Sequence, residues 1–178
     1  YIWKHIENNF KIDSNAEVSI EINPSYIDRD YIFFLRELGF NRISFGLQDF
    51  DLKVQTAVNR VQPEDMIFNL MGWIREAEFE SVNVDLIYGL PHQNLKSFHQ
   101  TVQKTIALDP DRIAVFNFAY VPWVKPVQKN IDENALPAPS EKLEILQMTI
   151  EELTSSKYLF IGMDHFAKPN DELAIAQS

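Results

Sequence analysis

No cysteine occurs in the sequence, which excludes disulfides, a thiolate nucleophile and a cysteine-ligated metal from these residues. Basic side chains are scarce. Sixteen Lys and Arg against 26 Asp and Glu leave a net charge of -10, and a chain of that sign lacks a basic face with which to hold a phosphate backbone. A nucleic-acid partner is therefore not expected. Long apolar runs are missing too: stretches such as 115–118 and 159–161 are far shorter than the roughly 20 residues of a bilayer-crossing helix, so no membrane partner is expected either. The chain opens on Tyr1 with neither Met nor a charged-then-apolar leader, so no secretory signal is read, and a cytoplasmic protein or a piece of one is the expectation. What is present, 46% hydrophobic and 24% charged residues, is the composition of an ordinary globular domain with a real core.

Along the chain, short alternating segments are followed by helical ones. Residues 17–22 read as a strand, and 28–38 as a helix stopped by Gly39 with Phe40 behind it. A strand at 42–48 feeds a polar loop, a short helix near 52–58 and a second helix opened by Pro63. A strand at 82–88 ends in Gly89-Leu90-Pro91, a helix covers 94–108, and a strand covers 112–119. The stretch 120–139, with Pro122, Pro126, Pro137 and Pro139, reads as a long irregular loop. Ser140 is expected to cap a helix running to about 155, and 158–162 is a fifth strand. Strands separated by helices imply parallel pairing through right-handed crossovers. The fold class is thus α/β, a partial (β/α) barrel of parallel strands. It is expected to be incomplete, because a closed eight-stranded barrel takes about 250 residues. Residues 1–10 read as the end of a helix whose strand is missing, and Ser178 ends a polar stretch without a cap.

Alternation separates the two faces of each strand. Val18, Ile20 and Ile22 oppose Glu17, Ser19 and Glu21; Ile43, Phe45 and Leu47 oppose Ser44, Gly46 and Gln48. Val82, Val84 and Leu86 oppose Asn83 and Asp85, and Phe116 and Phe118 oppose Asn117 and Ala119. The large apolar faces must meet the helices, which turns the polar and small residues inward. A sealed barrel fills its interior with aliphatic layers, and unpaired polar groups there would cost about 1–3 kcal/mol each. The interior is therefore expected to be a wet, ligand-holding cavity, with Glu21, Gln48, Asp85 and Ala119 at the strand ends where barrel enzymes place their sites. Each alone is ordinarily a loop-satisfying or capping residue; in four consecutive strands that explanation weakens. Arg60 lies just past a helix, a place for a solvated cap, although an Arg facing a ligand carboxylate binds it bidentately. His165, beside Met163 and Phe166, reads as a satisfied core histidine, and Trp123 as a surface-loop anchor.

Four segments carry a resemblance: Glu21-Ile22-Asn23-Pro24; residues 41–50, with Gln48-Asp49-Phe50; residues 83–91, ending Gly89-Leu90-Pro91; and Gly162-Met163-Asp164-His165-Phe166-Ala167. Together they resemble the oxygen-independent coproporphyrinogen III oxidase family of radical S-adenosylmethionine (SAM) enzymes, along essentially the whole chain. The Gln-Asp-Phe and Gly-Leu-Pro segments are shared with wider relatives, whereas the last segment is specific to the coproporphyrinogen enzymes. The resemblance implies oxidative decarboxylation of two propionates of coproporphyrinogen III to vinyl groups, giving protoporphyrinogen IX in anaerobic haem biosynthesis. It implies SAM and a [4Fe-4S] cluster as cofactors and an unidentified electron donor as partner. It places a contact to a first SAM on Glu21 and contacts to a second SAM site on Gln48, Arg60, Asp85 and Ala119, with no catalytic residue assigned and no metal ligand in the chain. The family's Cys-x-x-x-Cys-x-x-Cys loop is absent. Residues 1–178 are accordingly expected to be the central part of the barrel domain, without its cluster-binding N-terminal part and without a C-terminal domain. A haem-binding chaperone of the same family is the alternative reading, and a barrel binding another polar small molecule is a third.

Overall fold

A computed structural model describes residues 2–177; Tyr1 and Ser178, on which parts of the terminal expectations fall, lie outside them, and the side chain of Glu7 is not described. Helix α1 (Ile2–Asn9) leads to strand β1 (Ser19–Ile22) and helix α2 (Arg29–Glu37). Strand β2 (Arg42–Gln48), helices α3 (Leu52–Ala57) and α4 (Glu64–Glu76), and strand β3 (Ser81–Tyr88) follow. Helix α5 (Leu95–Leu108), strand β4 (Arg112–Asn117), helix α6 (Pro139–Ser155), strands β5 (Leu159–Gly162) and β6 (His165–Ala167), and helix α7 (Glu172–Gln177) complete the chain. No helix among the described residues is long and apolar enough to cross a membrane.

Local chemistry sets these limits. Asp28 accepts from Tyr31 N to start α2, and Gly39 at φ 95° stops it, with Phe40 N donating to Leu35 O. Asn94 and Ser97 close a reciprocal capping box on α5. The start of α6 departs from expectation: Pro139 occupies its first turn and Ala138 precedes it without a side-chain cap, so the ring's fixed φ, not Ser140, begins the helix. In the proline-rich loop two short 3-10 turns form, Pro126–Asn130 and Glu133–Ala135.

The six strands form one open sheet in the order β1-β2-β3-β4-β6-β5, with β1 to β4 parallel. Strand β5 does not pair with β4. It turns back through Met163 and Asp164, and β6 lies antiparallel between them. Helices α2, α4, α5 and α6 cover one face, where Ile32, Ile67, Phe98 and Ile145 pack against Phe45, Val84, Leu86 and Ile113. The other face is concave and polar, as alternation requires for β1, β2 and β3.

Strand β4 corrects the alternation. Its register pairs Asp85 with Ala114 and Ile87 with Phe116, so Ala114 and Phe116 share the face of Asp85 while the buried Ile113 and Val115 meet the helices. Both alternations in this strand are apolar, and the choice between Ile113/Val115 and Phe116/Phe118 carries no polarity signal. Ala119 lies two residues beyond the end of β4 and is exposed.

Candidate active site

The concave face is built in rows. Glu21 aligns with Ser44 and Ser44 with Asn83; one row further on, Gly46 aligns with Asp85, Asp85 with Ala114 and Ala114 with His165. Asn83 Nδ2 donates to Asp85 Oδ1 at 2.7 Å. Burial pushes the Asp85 carboxyl above its ordinary range; the Asn83 bond opposes this, the Glu21 charge adds to it, and His165 and Arg60 oppose it. No salt bridge neutralises Asp85 among the described residues.

At the end of β2 the chain bulges. Gly46 pairs with Asp85 but Gln48, not Leu47, faces Leu86, and Gln48 takes a left-handed φ of 68°. Its amide then folds over Gly46. A Cβ at Gly46 would collide with that amide and lie 2.9 Å from Arg60 Nη2, so glycine is what allows both side chains to converge here. Arg60 Nη2 donates to Gly46 O at 2.8 Å. Both residues line a cavity of about 350 Å³ whose remaining wall includes Ile87, Leu90, Phe118 and Ile131.

A buried polar network holds this excursion in place. Gln55 Nε2 donates to Asp49 O (2.7 Å) and Gln62 O (3.0 Å), and its Oε1 accepts from Gln62 N. The loop carrying Arg60 is thus stapled at both ends. Asp49 accepts from Thr101 Oγ1 and Gln93 Nε2, and Gln93 also bonds Ile87 O and Leu90 N. The loops after β2 and β3 are therefore fixed to each other. Burial raises the Asp49 carboxyl's pKa, with bonds from Asp51 N, Thr101 and Gln93 working against it.

Three buried polar atoms on this face have no partner: Gln48 Oε1, Arg60 Nε and Asn83 Oδ1. An unpaired buried polar atom costs about 1–3 kcal/mol, and three in one concavity mark a surface shaped for a polar ligand. The five residues assigned from the sequence divide in two. Gln48 and Arg60 meet in the cavity, with Asp85 alongside; Ala119 stands at its rim, its carbonyl accepting from Gln128 Nε2 at 3.0 Å, and Gln128 lines the same cavity. Glu21 stands apart, exposed, at the far side of Ser44. Asn83 and Phe116 were not assigned from the sequence; the alternation of β3 did point Asn83 inward, whereas nothing in β4 distinguished Phe116. His165 is not a core residue: it is partly exposed and lies on the concave face beside Phe116.

The family model for the Radical SAM superfamily matches residues 2–105, more than half of the chain. The chain belongs to the radical SAM superfamily. Among curated members it is 67% identical to the oxygen-independent coproporphyrinogen III oxidase of Synechocystis sp., over 99% of this chain and 38% of that protein. It is 50% identical to the protein of that name from Escherichia coli, over 99% of this chain and 38% of the relative. The solved coproporphyrinogen III oxidase HemN from Escherichia coli, described as a radical SAM enzyme, superposes with a TM-score of 0.96 at 50% identity, over 98% of this chain and 40% of that one. The chain thus spans about two fifths of the length of these radical SAM relatives. The radical SAM methyltransferase TsrM from Kitasatospora setae shares the fold at 14% identity (TM-score 0.56, 67% of this chain and 24% of that one). The open, mostly parallel sheet is the partial barrel of this superfamily.

The concave face fits SAM. That molecule brings an ammonium, a carboxylate and ribose hydroxyls, and the face offers orphaned acceptors at Gln48 and Asn83, a carboxylate at Asp85 and an orphaned donor at Arg60. An iron–sulfur cluster finds no such fit. The chain has no cysteine, and among the described residues no group of three or more His, Asp or Glu is placed to hold a metal.

Proposed function

We propose that residues 1–178 form the central part of the barrel domain of an oxygen-independent coproporphyrinogen III oxidase, between a cluster-binding N-terminal part and a C-terminal domain. The single observation that carries this is the superposition on the Escherichia coli oxidase at TM-score 0.96 with 50% identity along 98% of the chain. In this reading the whole protein oxidatively decarboxylates two propionates of coproporphyrinogen III to vinyl groups, giving protoporphyrinogen IX and carbon dioxide, in the cytoplasm; a donor yet to be identified provides the electrons for SAM cleavage, and a one-electron acceptor outside this chain takes the electron that each substrate radical gives up as carbon dioxide leaves. Nucleic acid and membrane have no part in it. The haem-chaperone alternative gains no support from the relatives named above.

When bound, SAM would supply, with a [4Fe-4S] cluster held by thiolates outside this chain, the radical chemistry that takes a hydrogen from the substrate side chain. This chain's residues bind and orient. Glu21 accepts from ribose hydroxyls of a first SAM. Arg60 faces the carboxylate of a second, Asp85 its ammonium or a hydroxyl, and Gln48 and the Ala119 backbone complete that contact set. Asn83 fixes the Asp85 carboxylate through its 2.7 Å bond. The apolar wall of Ile87, Leu90, Phe118 and Ile131 limits water around these charges, which strengthens their interactions.

The test is anaerobic turnover by the full-length protein. After reconstitution with iron and sulfide, and given SAM, dithionite and coproporphyrinogen III, it is expected to form protoporphyrinogen IX, read as protoporphyrin after oxidation. Release of 5'-deoxyadenosine with no decarboxylated porphyrin would reject the substrate.

A further inference from the structure

The row that holds Asp85 continues through Ala114 to His165, the first residue of β6. This histidine is held on two sides. Its Nδ1 lies 2.6 Å from Met163 O; a carbonyl can only accept, so Nδ1 carries the hydrogen and donates. Its ring stands edge-on to Phe116, with centroids 5.9 Å apart and planes at 84°. The turn that presents it, Met163 and Asp164, has both residues in left-handed backbone at φ 48° and 68°, a two-residue type I′ connection made without glycine. Strain of this kind persists where the surroundings impose it, and it gathers at functional sites.

Nε2 is left over. Among the described residues it meets no hydrogen-bond or ion-pair partner, although Asp85 is near enough for its charge to be felt. It belongs to the lining of a wide cavity of about 740 Å³ whose other walls are Phe116, Ile161, Met163, Asp164 and Leu173. The surface is thus apolar over most of its extent, with one imidazole set into it.

We propose that this wall receives the porphyrinogen macrocycle, with His165 Nε2 bonded to a propionate that the reaction retains. The proposal rests on the oxidase reading above and names the part of the site that meets substrate. With Nδ1–H donated to Met163, a neutral ring offers only a lone pair at Nε2. A carboxylate therefore binds together with a proton, and the imidazolium lies between the Met163 carbonyl and the propionate. A propionate about to leave as carbon dioxide must give up its negative charge, and a cation bonded to it opposes that loss. His165 accordingly suits a side chain that stays, and Phe116, Ile161 and Leu173 suit the pyrrole rings.

The experiment is a fluorescence titration of the full-length protein with coproporphyrin III, the oxidised tetracarboxylate, and with its tetramethyl ester. His165→Phe keeps a flat ring and removes the charge. It is expected to raise the Kd for the tetracarboxylate by roughly tenfold or more, the range of a lost bond to a charged group, and that for the ester by less than about twofold. His165→Gln, which keeps an amide donor without charge, is expected to show the same selectivity for the acid over the ester, and it decides the matter if the Phe variant does not fold. Equal Kd values in wild type and variant for the tetracarboxylate, or an equal rise for acid and ester, would overturn the proposal. Failure of the wild type to bind the tetracarboxylate would instead overturn the oxidase reading.

Discussion

Asp85 is a part-buried carboxylate with no ion-pair partner among the described residues, and Arg60 and His165 are the cations whose charges reach it. Because burial raises its pKa, the folded protein holds a proton at pH values where the unfolded chain has released it. Stability therefore falls as pH rises from the ordinary aspartate value of about 4 through the raised one. Asp85→Asn removes that slope, and thermal melts of the full-length variant at pH 7 are expected to show a Tm no lower than wild type. Binding behaves oppositely. Loss of a charge-assisted bond is expected to weaken SAM by about 10- to 100-fold, measured by calorimetry, with turnover falling alongside. A variant that melts like wild type and binds SAM equally well would end the assignment. In wild type the SAM contact should weaken as the pH drops through the Asp85 pKa, and the Asn variant should lose this dependence.

The excursion between β2 and β3 is the element on which the site depends most. Gln55 joins its two ends through Asp49 O, Gln62 O and Gln62 N, and Arg60 N donates to Gln55 O. Gln55→Ala would strand three buried backbone groups. A loss of about 2–4 kcal/mol is expected, read as a lower urea midpoint, with SAM affinity falling because Arg60 is no longer aimed at Gly46. An unchanged midpoint would show that the staple is dispensable. Elements of this kind were unevenly legible in the sequence. Asp28, Gly39 and Asn94 announce the ends of α2 and α5 through side-chain and backbone chemistry that acts within a few residues. Gln48 and Asp85 stand out because a polar residue interrupts an apolar alternation. Arg60 does not, since a loop's path is set by distant partners, and only the resemblance singled it out. The face of β4 was unreadable because both its alternations are apolar. The reversal at β5 and β6 was missed because β6 has three residues and its turn lacks the Asn-Gly or Asp-Gly signal.

At the scale of the molecule, the proposed reading puts the SAM-binding surface in this chain and the cluster ligands in another stretch of polypeptide, since these 178 residues contain no cysteine. The 178-residue chain alone, given SAM and dithionite, is expected to release no 5'-deoxyadenosine, because it contributes no thiolate to a cluster; detection of that product by liquid chromatography would contradict this. The sheet is nonetheless locked at the end opposite the site, where Asp171 accepts from Arg112 Nε at 2.8 Å and Glu172 pairs with Arg42. The reversal of β6 has a consequence in time. Parallel neighbours β2 and β3, or β3 and β4, meet only after the long connections 49–80 and 89–111 have closed, whereas β5 and β6 close over two residues. Short loops cost less chain entropy, and isolated hairpins form in about 1–10 μs. As the polypeptide collapses, the wall bearing His165 is a contact the chain reaches locally, and the parallel strands bring the rest of the concavity to it.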